Sequence, residues 1–242
     1  GGKAQAEPGQ DMTGRMMSDA PNRTLAAFGA VLIYACIIAF TDNYVRVIAA
    51  DAGLWQFHAT RTAMAFAILA LAALPMGLEL WPRRPWAVFA RSAVLGTAML
   101  IYFGALAFLP VAQVAAGLFT APIFVLFFQR YLYGQPFRGI QILAVVVGFA
   151  GVVLVLGPEA LSGATLAALL PVISGALYAM GNIATQRWCA GETAESVVAG
   201  FFGMLGVYGL VGMAVLWAFP LVVPVGTEGF LMRGQVWPTG TF

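Results

Sequence analysis

Charge is what this sequence has least of. Only 9% of its 242 residues are Asp, Glu, Lys or Arg, while 61% are hydrophobic; soluble domains carry about 25% charged residues. Lysine occurs once, at Lys3, and histidine once, at His58. The two cysteines, Cys36 and Cys189, stand in an apolar run and in a charged loop, with no metal-ligand spacing around them. Each shortage excludes a function. A GxxxxGK[ST] phosphate loop cannot be built, so no P-loop on this chain hydrolyses ATP. A retinal Schiff base needs a membrane lysine. Paired histidine ligation of haem needs a second histidine. The net charge of +2 says little about partners, and neither a nucleic acid nor a cofactor or metal is expected.

What the chain has in plenty is long apolar runs, with a mean hydropathy of +0.88. The reading is an all-α integral membrane protein. Residues 1–23 are polar, Gly-rich and Pro-containing, and read as a disordered tail. Segments of about 20 residues, long enough to span a bilayer, follow roughly at 25–47, 57–79, 87–107, 111–132, 138–157, 164–185 and 196–219. Short breaks such as "ELWPRRPW" (79–86), "YGQPFRG" (133–139) and "GPEALSG" (157–163) separate them. The first run is too long for a signal peptide and no small-residue cleavage site follows it.

Basic residues set an orientation. Lys3, Arg15, Arg23, Arg83, Arg84, Arg91, Arg130, Arg138 and Arg187 all fall on one side of such a bundle, which the positive-inside rule makes cytoplasmic. The N-terminus is then inside, and the segment after Pro220 outside.

An internal repeat is also visible. "TLAAFGAVLIYACIIAFTDNYVR" from Thr24 aligns without gaps on "TLAALLPVISGALYAMGNIATQR" from Thr165, with identities that include Thr24/Thr165, Val31/Val172 and Arg46/Arg187. Ala and Leu are frequent in membrane helices, so chance similarity is an open alternative. A repeat of five spans is an odd number and would invert the second copy, the arrangement of secondary transporters. Its remaining helices would lie beyond residue 242, so the chain reads as truncated by about three helices.

Charge inside a span needs a reason, because an intramembrane ionisable group is costly when unpaired. Asp42 and Arg46 are one helical turn apart and can pair. By the assigned orientation they share the outer third of the bundle with His58 and Arg61. One reading is a structural clasp of Asp42 with Arg61 and a snorkelling Arg46. The other is a substrate or gating role in a vestibule that tolerates an anionic or zwitterionic group. His58 alone reads as interfacial rather than as a proton relay. The glycines 200, 203, 206, 209 and 212 recur every third residue along the last span; tight packing and a sliding surface are the two readings.

The stretch "ALAFLPVAQVAAGLFTAPIFVLFFQRYLYGQPFRGIQILAVVVGFAGVVLVLGP" (105–158) resembles the EamA family of the drug/metabolite transporter superfamily. The likeness lies in the tight Pro110-Val111-Ala112 turn, the small residues up to Ala121, Pro122, Gln141 and the Gly151-Val152 exit. "FHATRTAMAF", with Arg61, resembles the family's second helix. Two positions depart from the pattern: Gly134-Gln135 where the family has Gly-Glu, and Ala144 where it has Gly. The resemblance implies a ten-helix, five-plus-five inverted repeat, of which about seven helices are here. Residues 24–158 would be the first repeat and 164–242 the start of the second, two helices plus an external segment. It also implies alternating access for a small metabolite or drug-like solute, at the bacterial inner membrane, with a homodimer open. By family analogy Tyr102, Gln113, Thr120, Ser174, Tyr178 and Asn182 line a central cavity; interhelical hydrogen bonding is the alternative. Pro122 would kink its helix.

Two other classes remain. A non-catalytic membrane scaffold, or a transporter remnant, needs no solute. An intramembrane serine protease would need a Ser–His pair, and Ser174 with the outlying His58 is a poor one.

Overall fold

The computed structural model describes residues 10–156, 167 and 169–235. Among the described residues there is no strand. The helices are α1 (Gln10–Asp51), α2 (Leu54–Met76), α3 (Pro85–Ala105), α4 (Val111–Leu118), α5 (Ala121–Tyr131), α6 (Gly139–Leu156), α7 (Leu169–Trp188) and α8 (Ala194–Ala218), followed by a short 3-10 turn at Thr227–Leu231. α1 begins at Gln10, inside the stretch that composition marks as a tail, because helix propagates cheaply once an apolar run has nucleated it. The 157–163 break and Thr165 lie outside the described residues.

Five segments are long and apolar enough to cross a membrane: Leu25–Asp51, Leu54–Met76, Pro85–Ala105, Val111–Tyr131 and Ala194–Ala218; a shorter apolar helix covers Gly139–Gly151. α7 has the length of a span but falls short in apolarity, because it carries Ser174, Asn182, Gln186 and Arg187. The fourth segment is two helices. α4 stops at Leu118, and Pro122 sits in the first turn of α5, where its missing N–H leaves nothing unpaired. The Thr120 hydroxyl donates to the Gly117 carbonyl at 2.5 Å, which also accepts the Thr120 backbone N–H at 3.1 Å.

The chain forms two compact units, Gly1–Tyr44 and Val45–Phe242. In the first, polar side chains turn back on their own helix. Thr41 Oγ1 donates to the Ile37 carbonyl and Asn43 Nδ2 to the Ala39 carbonyl, both at 2.7 Å. This is one way for a polar group to be satisfied in lipid.

The second unit is built around α3 and α7. α7 packs against α3, α4 and α5, while α8 packs against α2 and α3. Glycine makes these approaches possible. A Cβ on Gly117 would overlap Pro171 of α7, and one on Gly181 would overlap Leu95 of α3. The α8 glycines form a packing seam: Gly200 meets Val88 of α3, while Gly206, Gly209 and Gly212 meet Thr62, Ala59 and Trp55 of α2. Across it, Thr62 Oγ1 donates to the Phe202 carbonyl at 2.9 Å.

One end of this unit gathers the start of α3, the end of α7 and the start of α8. Glu192 accepts from the Arg83 and Arg84 backbone N–H groups at 2.9 and 2.6 Å, fixing the segment that leads into α3 from a distant loop. Thr193 caps its own helix, accepting from the Ser196 N–H at 3.2 Å, and donates to the Glu79 carbonyl at 2.9 Å. Arg187 lies 3.5 Å from the centre of the Tyr133 ring. Burial pushes the Cys189 thiol above its usual pKa, partly offset by the Arg91 guanidinium.

The seam argument predicts opposite outcomes for the same added methyl. Gly117→Ala forces α4 away from Pro171 and costs about 1–3 kcal/mol. Gly148→Ala adds its methyl where nothing lies within 4 Å and leaves stability unchanged or slightly raised. Thermal melts of the two variants in one detergent check this.

Candidate functional site

The site begins on α2. Its first turns carry Leu54, His58 and Arg61 toward α3, while Trp55, Ala59 and Thr62 face the α8 glycines. Helical spacing alone separates these two faces. From α3 come Tyr102 and Phe103, both buried, and from α8 comes Phe202.

Four rings surround the polar groups. His58 lies edge-on between Phe57 and Phe103, with ring centres 5.2 and 5.4 Å away. Tyr102 stands perpendicular to Phe103 at 5.3 Å. The Arg61 guanidinium carbon is 5.2 Å from the Phe103 centroid and 5.4 Å from that of Phe202. A cation between two aromatic faces gains about 0.5–2 kcal/mol. His58 is 0% exposed, and neither ring nitrogen has a hydrogen-bond partner. A buried polar group left so costs about 1–3 kcal/mol. Read from sequence as interfacial, His58 is instead a fully enclosed residue.

Arg91, on α3, shows what a structural arginine looks like in the same fold. Its Nε donates to Thr185 Oγ1 at 2.8 Å and its Nη1 to the Val197 carbonyl at 3.1 Å, tying α3 to α7 and α8. Phe201 lies 5.9 Å from its guanidinium carbon.

The cavity candidates divide. Ser174 is buried and donates to the Ala98 carbonyl of α3 at 2.7 Å, an interhelical bond. Thr120 is committed to Gly117. Gln113, Tyr178 and Asn182 are half-buried, and no side-chain hydrogen bond of theirs occurs among the described residues. Asp42 belongs to the first unit and is half-buried. The side chain of Arg46 lies outside the described ones, and with it the pairing with Asp42. The structure thus joins Arg61 to Tyr102 through Phe103 and keeps the α7 stripe as a separate set. Phe103 and Phe202 escaped the sequence reading because an aromatic in an apolar run carries no mark of its neighbours. The sole histidine, one turn from an arginine, was the available signal. Among the described residues no group of three His, Cys, Asp or Glu side chains converges on a metal position.

These apolar helices, packed through small residues around a few enclosed polar groups, define a multi-helix integral membrane protein. The chain belongs to the EamA-like transporter family, whose model matches residues 24–157. A protein named riboflavin transporter from Rhizobium johnstonii (strain DSM 114642 / LMG 32736 / 3841) is 25% identical over 156 residues, 64% of this chain and 46% of that relative. The chain spans about half the length of that relative. A solved crystal structure superposes with a TM-score of 0.61 at 23% identity, over 86% of this chain and 71% of the other; it shows a shared fold.

Replacing Arg91 by glutamine removes two interhelical hydrogen bonds from a charged donor, each worth about 1.5–3 kcal/mol. Arg91→Gln is expected to lower the melting temperature by several degrees, while exposed Arg130→Gln leaves it in place.

Proposed function

We propose that this chain is part of a secondary transporter that moves a small metabolite across the bacterial inner membrane by alternating access, with its N-terminus in the cytoplasm. The observation that carries this reading is the Arg61–His58 group, enclosed by Phe57, Tyr102, Phe103 and Phe202. Intramembrane ionisable residues mark solute pathways by default. Rings beside donors suit a flat, ring-bearing solute with oxygen acceptors, and the relative named for riboflavin transport supports that class. Tyr178 and Asn182 supply a second polar contact from α7. Asp42, Arg46, Gln113 and Thr120 belong to the same proposal at its edges, as vestibule and cavity residues.

Two features support the mechanism. The repeat makes the second span the counterpart of the seventh, and these two helices, α2 and α8, lie antiparallel: Trp55 meets Gly212, Thr62 meets Gly206 and Phe66 meets Gly203. A two-fold axis in the membrane plane relates helices of opposite direction, as these two are. The basic residues Arg83, Arg84 and Arg187 gather at one end of the second unit, as positive-inside topology demands. A scaffold would have no need of an enclosed imidazole lacking partners.

Proteoliposomes carrying the full chain, given radiolabelled riboflavin, test the reading. Saturable uptake that falls on the order of tenfold in Arg61→Gln, a loss of about 1.4 kcal/mol, is the expected result. Uptake no greater than that of empty vesicles would remove riboflavin as the solute. Saturable uptake indifferent to Arg61→Gln would remove this site from the pathway.

A further inference from the structure

The segment after α8 does more than leave the bundle. Residues 219–226 have no helix, and Val222 and Val225 are almost wholly exposed. The chain then turns at Gly226, with φ +87°, and returns to the end of the bundle as the Thr227–Leu231 turn. Phe230, 0% exposed, joins the apolar cluster that holds Leu54, Tyr102 and Phe103. Leu231 covers Gly104, and its carbonyl accepts from Trp55 Nε1 at 2.9 Å. The Arg233 guanidinium binds four carbonyls: Ala49 at 2.9 Å, Ala52 at 3.4 Å, Pro224 at 3.3 Å and Gly226 at 2.6 Å. Two of these belong to the last turn of α1 and the residue after it, where a cation is favoured. His58 lies one helical turn below Leu54, against Phe103, with both ring nitrogens unpartnered.

We propose that residues 220–235 are a strap latched by Arg233, and that lifting it exposes His58 as a solute contact for a ring-bearing carboxylate. The proposal rests on the transporter reading and adds to it a gate, a residue and a ligand class. In the closed strap Phe230 packs into the cluster that holds Leu54 and Phe103, and Phe103 is the ring against which the unpartnered His58 lies. An imidazole N–H beside a guanidinium donates to an oxyanion, and Phe57, Tyr102 and Phe103 flank the ring that carries it. The strap is held by one buried aromatic, one indole N–H and one guanidinium, a small set of bonds for a segment that must open.

His58 is the sole histidine in the chain, so diethyl pyrocarbonate labelling of tag-free protein, located by peptide mass, reports its exposure directly. Three proteins suffice: wild type, Arg233→Gln, and a strap-locked Leu216→Cys/Gly234→Cys variant with Cys36→Ser and Cys189→Ala. A Cβ on Gly234 lies 3.5 Å from that of Leu216, within disulfide range. Release of the latch is expected to speed His58 labelling about tenfold, the scale of one charged hydrogen bond. Oxidising the locked variant slows labelling by a similar factor, and reductant restores it. Benzoate, the smallest ring-bearing carboxylate, protects His58 in the Arg233→Gln protein. Equal rates in the oxidised and reduced locked variant overturn the gate, whatever Arg233→Gln does to folding. Absence of protection by benzoate overturns the ligand class. No transport is needed for the readout, so failure of the gate and failure of the transporter reading give different results.

Discussion

Helices in lipid have no apolar surface to hide from water, so their association rests on how closely their atoms can approach. Everything in the second unit depends on that closeness, and closeness depends on absent side chains. The α2–α8 contact runs along Gly206, Gly209 and Gly212, and the α4–α7 contact closes on Gly117 and Gly175. A Cβ on Gly175 would press on the Gly117 carbonyl and on Thr120. These crossings bring α3 into the middle of the bundle, between α7 and α8, where it meets α2 only near the enclosed polar groups. A looser seam would leave Arg61 without its second ring.

Satisfaction of polar groups divides the fold into two kinds of place. Where the protein only needs to hold together, several buried polar side chains have a defined partner: Ser174 on Ala98, Thr62 on Phe202, Arg91 on Thr185 and Val197. These bonds are modest in membranes, about 0.6 kcal/mol on average, but each removes a cost several times larger. Ser92 Oγ, at the α3–α8 contact, has no such partner, and neither has the larger His58. It is as buried as Ser174, yet it has aromatic edges where hydrogen-bond partners would stand. A residue that pays this cost in the closed arrangement is accounted for most simply by a second arrangement in which it is satisfied.

The segments of the bundle were legible because apolar runs of span length say where helices cross, whatever they pack against. The broken fourth span was readable from Pro122, since a proline cannot carry the helix hydrogen bond past itself. The spacing of Ser174, Tyr178 and Asn182 marked one face of α7 but not the different fates of its members. Ser174 pairs with a backbone carbonyl on α3, 76 residues away in sequence, and no local pattern foretells that. Glu192 holding the entry to α3 and Arg233 gathering four carbonyls are equally non-local. The segment after Pro220 reads as a plain external stretch because its composition is that of a loop. Its burial comes from a single aromatic, Phe230, whose destination depends on where α1, α2 and α3 end.

The helix that carries the site is also the helix that carries the seam. One face of α2 sets Trp55, Ala59 and Thr62 against α8, and an adjacent face sets Leu54, His58 and Arg61 against α3 and the strap. Trp55 serves both, since its ring packs on Gly212 while its N–H holds the Leu231 carbonyl. The seam itself is mostly backbone and small groups, with a side-chain hydrogen bond across it from Thr62 to Phe202. A shift of α2 along α8 therefore breaks few bonds, yet it moves the imidazole, the guanidinium and the anchor of the strap together. Phe202 ties the two faces further: its carbonyl receives Thr62 and its ring covers Arg61. Such an arrangement ties the packing of the α2–α8 seam to the placement of the polar centre.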